Sequence, residues 1–341
     1  MKYQKHLDII ERTTAPHVDD NKIRLHAAER NQPWSDKIWQ KYIANLKESD
    51  IRCYPDQFRA VERIAQHERV KPNQITIGNG SDQVIKNIFE CFAIPGSNVV
   101  TTNPCFPMYN VYGAISNVQV VSVPYKDKKA DIEGLIDSIN HDTSIVIISN
   151  PSSPVGDTFS PYDLQGIINK AYIVDAVVVI DEAYIEFSDC KSLTDTLGYN
   201  PNIIVTKTFS KALGSAGMRF GYSISNVPHA MILSKVKNIY EITGPTLKWI
   251  ETVLDNYEDV IEYTNSIKYN RLILTEQLSK YYEVVPGQCN WIHTTKIDFP
   301  YKFTTRQCTL PWSTSTWTRL CIPGDYHLIS EVLQRLDWHT S

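Results

Sequence analysis

The chain has 341 residues, is 42% hydrophobic and 21% charged, and carries a formal net charge of −4. This is an ordinary folded composition, long enough for one large domain with a smaller companion, and its scattered Lys and Arg give no basic face for nucleic acid. No apolar run approaches the ~20 residues of a membrane span, the start has no signal-peptide core, and seven cysteines without a Cys-x-x-Cys pair point to reduced thiols in a cytoplasmic protein with no metal site.

Short apolar runs recur along the first two thirds of the chain: Gln74–Ile77, Asn98–Thr101, Gln119–Val123, Ser144–Ile148, Ala176–Ile180 and Asn202–Val205. Apolar on successive positions and rich in Val and Ile, they suit strands covered on both faces. Helical patterns such as Gln83–Ala93 and Pro161–Tyr172 lie between them. The alternation predicts an α/β fold with a mostly parallel central sheet flanked by helices. After about residue 225 the pattern changes. Long amphipathic helices are expected over His229–Glu241 and Glu258–Tyr282, followed by two or three weak strands and a closing helix, His327–Asp337. The reading is a large domain over 36–235 and a smaller α+β domain made from both chain ends, 1–35 and 236–341.

Two segments carry the chemistry. Val178-Val179-Ile180-Asp181-Glu182-Ala183-Tyr184 is an apolar strand ending on a carboxylate. Thr206-Lys207-Thr208-Phe209-Ser210-Lys211, with Arg219 eight residues further on, sets a lysine among hydroxyls and a guanidinium after another strand. Alone, Asp181 reads as a helix N-cap and Lys211 as a surface lysine. Together they reach one crevice at the carboxyl edge of an open sheet. A Schiff-base lysine and a carboxylate for a protonated ring nitrogen are the parts that pyridoxal phosphate requires. Thr208, Ser210 and Arg219 suit its phosphate. Gly78-Asn79-Gly80-Ser81-Asp82, between a strand and a helix, is a second phosphate-directed element, weak by itself. Lys207 is a rival for the Schiff base, disfavoured by its neighbours.

These motifs, with Tyr54-Pro55-Asp56 and Asn103-Pro104-Cys105-Phe106-Pro107-Met108-Tyr109, match a family. From about Arg24 to Glu331 the chain resembles the fold-type I pyridoxal-phosphate enzymes, most closely the histidinol-phosphate aminotransferase branch of the class I/II aminotransferases. The resemblance implies that Lys211 holds the cofactor and moves the proton, that Asp181 pairs with the ring nitrogen, and that Tyr184 donates to the phenolic oxygen. It implies that Phe106 stacks on the ring and that Ser81, Asp82, Thr208, Ser210 and Arg219 hold the phosphate. Tyr54 would reach the cofactor of a partner subunit, making a homodimer part of the site, and Arg319 would clamp a substrate carboxylate or phosphate. An amino donor, glutamate first among candidates, and a small carbonyl acceptor, with or without a phosphate, would be the partners. Decarboxylation of an O-phosphorylated amino acid is the alternative reaction, and a catalytically inactive cofactor-binding subunit a more remote one.

The chain departs from the family pattern in places, and the resemblance implies that its altered N-terminal and 290–319 regions face the substrate. Ser153, in Asn150-Pro151-Ser152-Ser153-Pro154-Val155-Gly156, stands where an asparagine contacts the phenolic oxygen. Ala28 stands at another asparagine position, and the stretch from Asn290 to Arg319 is short, with Arg306 matching a second family arginine. Both point to a specialised biosynthetic role. His17 and His26 are weaker candidates for the cleft, Cys105 reads as a buried filler, and Trp312, Trp317 and Tyr326 read as core of the small domain.

Overall fold

The computed structural model describes residues 2, 4–11, 21–297 and 303–334. The six apolar runs are strands: β1 (Ile75–Gly78), β2 (Asn98–Asn103), β3 (Gln119–Pro124), β4 (Thr143–Ser149), β5 (Val177–Asp181) and β6 (Ile203–Thr208). Every residue of β1, β4, β5 and β6 is buried, which is why their sequences do not alternate. A seventh strand, β7 (Gly221–Ser225), was not expected; it lies between β1 and β6 and runs antiparallel to both. The sheet order is β1-β7-β6-β5-β4-β2-β3, with the remaining pairs parallel. Six strands therefore end at one edge of the sheet, and β7 begins there.

Helices Gly80–Phe92, Pro107–Ile115, Ile132–Ser138 and Pro161–Ile173 make the crossovers. The last starts cleanly: the Ser160 hydroxyl accepts from Asp163 N, the Asp163 carboxylate accepts from Ser160 N, and Pro161 takes the first helical position.

The helix expected over 229–241 runs instead from Val227 to Val236, its start fixed by Asn226, whose side chain accepts from His229 N. A separate helix, Gly244–Leu254, follows, capped by the Thr243 hydroxyl. Its Trp249 meets Trp34 and Tyr42 edge-on at 5.2 and 5.0 Å, tying it to the helix Asp36–Asn45. Tyr257–Leu278 is the long helix, and an antiparallel sheet follows: β8 (Val284–Val285), β9 (Trp291–Thr295), β10 (Arg306–Cys308) and β11 (Trp317–Cys321), in the order β10-β11-β9-β8. Ile23–Arg24 pairs in parallel with Phe303–Thr304, bringing the N-terminal segment to this half of the molecule. The closing helix is Tyr326–Gln334; residues 335–337 of the expected helix lie outside the described residues. Of the three aromatics expected in its core, Trp317 is buried, Trp312 half-buried and Tyr326 exposed.

Candidate active site

Asp181 is the last residue of β5 and is 5% exposed. The Tyr109 hydroxyl donates to its Oδ2 at 2.8 Å; Thr206 Oγ1 and the Ala183 amide donate to Oδ1 at 3.1 and 3.3 Å. Burial lifts the carboxyl above the usual range, opposed by the bonds from Tyr109, Thr206 and Ala183 and by the charge of Lys211. Three donors hold this carboxylate in one orientation. Tyr109 and Thr206 were not singled out in the sequence. The signals that would have found them are helical spacing from Phe106 and strand alternation from Thr208.

Lys211 lies three residues past β6. Its Nζ sits 5.3 Å from the Tyr184 ring centroid and donates to the Ala27 carbonyl at 3.4 Å. Tyr184 in turn meets Trp291 of β9 edge-on at 4.7 Å. Lys207, the rival, points to the other side of β6, because alternation gives the cavity face to Thr206 and Thr208. There it pairs with Glu68 at 2.8 Å and lies 3.8 Å from Glu182.

At the far end of the crevice the first turn of Gly80–Phe92 faces the start of β7. Gly80 has φ +82°, and a Cβ on it would come within 2.6 Å of Arg219 Nη2. A Cβ on Gly221 would fall 2.2 Å from Ser81 N. Glycine at both positions is what lets helix amides and guanidinium converge. Arg219 Nη1 donates to Ser210 Oγ at 3.4 Å and to the Ala216 carbonyl at 3.2 Å, while Asp82 Oδ1 is buried with no hydrogen-bond partner among the described residues. Open helix amides, a guanidinium and two hydroxyls make an anion cradle.

These groups share one cavity of about 150 Å³. Ser81, Asp82, Thr208, Ser210 and Arg219 line it together with Asp181, Tyr184 and Lys211. Phe106, Ser153 and Ala183 complete the wall. Two expected residues lie elsewhere. Tyr54 is 79% exposed and stacks on Tyr240 at 4.2 Å on the outer surface. Arg319, in β11, is buried behind Trp291, its Cζ 5.0 Å from that ring, and donates to the His26 carbonyl at 2.7 Å. His26 is half-buried against Thr304, Nδ1 to Oγ1 2.9 Å; His17 lies outside the described residues. Cys105 is buried and its thiol pushed up to about 11. Among the described residues no cluster of His, Cys, Asp or Glu could hold a metal ion, and no helix is long and apolar enough to cross a membrane.

An elongated ligand with a basic ring nitrogen, a carbonyl and a phosphate fits this arrangement. Asp181 could pair with such a nitrogen, Lys211 could reach such a carbonyl, and the cradle at Gly80, Ser210 and Arg219 has the polarity for a phosphate. A sheet of this topology with a lysine, a carboxylate and an anion cradle at one edge defines a pyridoxal-phosphate-dependent transferase. Residues 21–336 match the family aminotransferase class I and II, and the chain belongs to that family, whose cofactor is pyridoxal 5′-phosphate. It is 37% identical to the histidinol-phosphate aminotransferase of Christiangramia forsetii over 69% of this chain and 67% of that one. The fold matches that of histidinol-phosphate aminotransferase from Sinorhizobium meliloti in complex with pyridoxal-5′-phosphate, with a TM-score of 0.80 and 23% identity over 94% and 92% of the two chains. It also matches L-threonine-O-3-phosphate decarboxylase from Porphyromonas gingivalis, with a TM-score of 0.78 and 16% identity over 93% and 99%.

Proposed function

We propose that the chain moves an amino group from an amino acid, glutamate first among candidates, to a small phosphorylated carbonyl compound, a reading supported by relatives named histidinol-phosphate aminotransferase. The observation that carries this reading is the shared cavity: Lys211, Asp181 and the Arg219 cradle line one space, set by three different strand ends. When bound, the cofactor supplies a carbonyl for covalent attachment and a conjugated ring that accepts electrons.

The chain's residues have these roles. Lys211 Nζ would be the point of covalent attachment and, once free, would hold and move the proton of the substrate Cα. Asp181, held by Tyr109 and Thr206, would pair with the ring nitrogen and favour its protonated form. Tyr184 donates to the phenolic oxygen, with Ser153 in the place of a second donor. Phe106 packs on the ring face. Thr208, Ser210, Arg219 and the amides of Ser81 and Asp82 hold the phosphate. Arg319, a buried cation against Trp291 just outside the cavity lining, is the candidate to receive an acidic group of the substrate. Residues 36–235 form the cofactor unit, and 1–35 with 236–341 the smaller one, a division supported by the pairing of Ile23–Arg24 with Phe303–Thr304.

The working form is a cytoplasmic homodimer. Tyr54 lies in an exposed apolar patch with Ile51, Phe58 and Ile239, 73%, 61% and 79% exposed, a face suited to a second copy. The test is to mix the purified holoprotein with single amino acids and follow the cofactor's visible band. Loss of the band to the amine form with glutamate supports transamination. Carbon dioxide release from an O-phosphorylated amino acid with the band retained would replace that reading with decarboxylation. No response to any donor would mean an inactive subunit.

A further inference from the structure

One buried imidazole has no role in the chemistry above. His293, in β9, is 1% exposed, and both of its ring nitrogens are buried without a partner among the described residues. Leaving such a group unpaired is costly, so the imidazole calls for a contact that the described residues do not make.

Strand register gives the location. His293 lies directly opposite Arg319 of β11, which lies opposite Arg306 of β10. Directly opposed residues of antiparallel strands share a face, as do residues two apart on one strand. His293 is therefore on the same face as Trp291, the ring that touches Tyr184 and underlies Arg319. Through Trp291 this face adjoins Tyr184, which lines the cofactor cavity.

Arg319 has the complementary deficit. It is 6% exposed, its Nε is buried and unpartnered, and no carboxylate among the described residues pairs with it. A buried cation without a counter-ion fits an incoming anion. The His26 carbonyl, 2.7 Å from Arg319 Nη2, marks where an acceptor oxygen sits on the guanidinium. Two neighbouring carbonyls of the same segment also accept side-chain bonds, Ala27 from Lys211 and Ala28 from Asn290 Nδ2. Burial and the adjacent Arg319 push His293 down to about 3, so the imidazole is neutral and offers one N–H donor and one acceptor.

We propose that His293 is a specificity-determining residue of the substrate site: its neutral N–H donates to the oxyanion, carboxylate or phosphate monoester, that Arg319 holds. This rests on the aminotransferase reading only for which molecule brings the oxyanion. The guanidinium fixes charge and the imidazole adds direction, so a substrate whose acidic group stops short of the His293 row loses one bond.

The test compares wild-type holoprotein with His293→Leu, which removes the donor, and His293→Gln, which keeps an N–H. Calorimetric titration with maleate and, separately, with inorganic phosphate reads the oxyanion seat without any reaction. Leu is expected to weaken at least one probe by about 10-fold, the scale of a hydrogen bond to a charged group, and Gln to restore most of it. A loss confined to maleate assigns a carboxylate, and one confined to phosphate a phosphate monoester. In turnover the loss falls in KM more than in kcat. Both variants binding both probes as wild type does would overturn the proposal, as would a wild type that binds neither. If Leu fails to fold, Gln against Asn, a shorter donor, gives the same comparison. A wild type that binds probes but converts no amino donor would defeat the aminotransferase reading and leave His293 standing.

Discussion

Two lysines four residues apart, Lys207 and Lys211, lie on opposite sides of the same strand end, and their surroundings differ in kind. Lys207 is nine-tenths buried among Glu68, Glu182 and Glu186, ion-paired to the first at 2.8 Å, and its neighbours hold it well above the ordinary lysine range. Glu68 also accepts from the Tyr222 hydroxyl, and Glu182 accepts from Ser192 Oγ at 2.6 Å and Leu193 N at 2.7 Å. Lys211 has one long bond to a backbone carbonyl and a cavity in front of it. An amine that is permanently charged and fully paired cannot serve as a nucleophile; a loosely held amine beside a cavity can. The rear cluster secures the strand ends, and the front cluster is left free for chemistry.

The largest effect that would break this comparison is on stability. Lys207→Met leaves Glu68 and Glu182 without their cation and is expected to cost about 3–5 kcal/mol in denaturant unfolding. A change under about 1 kcal/mol would show that the rear cluster is not an ion-pair network.

The next concerns Glu186, whose carboxyl is pushed up to about 7, chiefly by burial. A carboxyl raised in the folded state gives stability that is fully present below its unfolded value near 4.5 and is lost as pH rises through about 7. That amounts to about 3 kcal/mol across the window. Unfolding titrations at pH 5 and pH 8 should show that fall in wild type and much less of it in Glu186→Gln. Equal falls in both proteins would remove Glu186 from the account.

On the front side, Asp181→Ala should lose at least ~10²-fold in turnover, since the ring nitrogen loses the charge that keeps it protonated. Near wild-type rates would end the role given to this carboxylate. Tyr109→Phe removes only the 2.8 Å bond that orients Asp181 and is expected to cost about 10-fold in kcat. A loss as large as that of Asp181→Ala would mean that Tyr109 does more than position its neighbour.

The front cluster was more legible in the sequence than the fold around it. Strands β1, β4, β5 and β6 announced themselves because burial on both faces demands unbroken apolar runs. Strand β7 did not: Gly221-Tyr222-Ser223-Ile224-Ser225 alternates with serines, and Ser223 and Ser225 are buried only because two neighbouring strands enclose them. Gly244–Leu254 begins with Gly-Pro, which reads as a turn until Thr243 is seen to cap it. In the site, Asp181, Lys211 and the Gly80 cradle stood out because their spacing is constrained. Tyr109, Thr206 and His293 did not, since an isolated aromatic, hydroxyl or imidazole has many ordinary uses. What each does here depends on which side of a strand or helix it occupies and on what lies across from it.

The central claim is that Lys211, and not Lys207, carries the cofactor. Borohydride reduction of the yellow holoprotein followed by peptide mass mapping tests it directly. The account predicts the reduced cofactor on the peptide at Lys211 in wild type and no fixed cofactor in Lys211→Ala. Modification at Lys207, or a Lys211→Ala protein that still fixes cofactor, would contradict it.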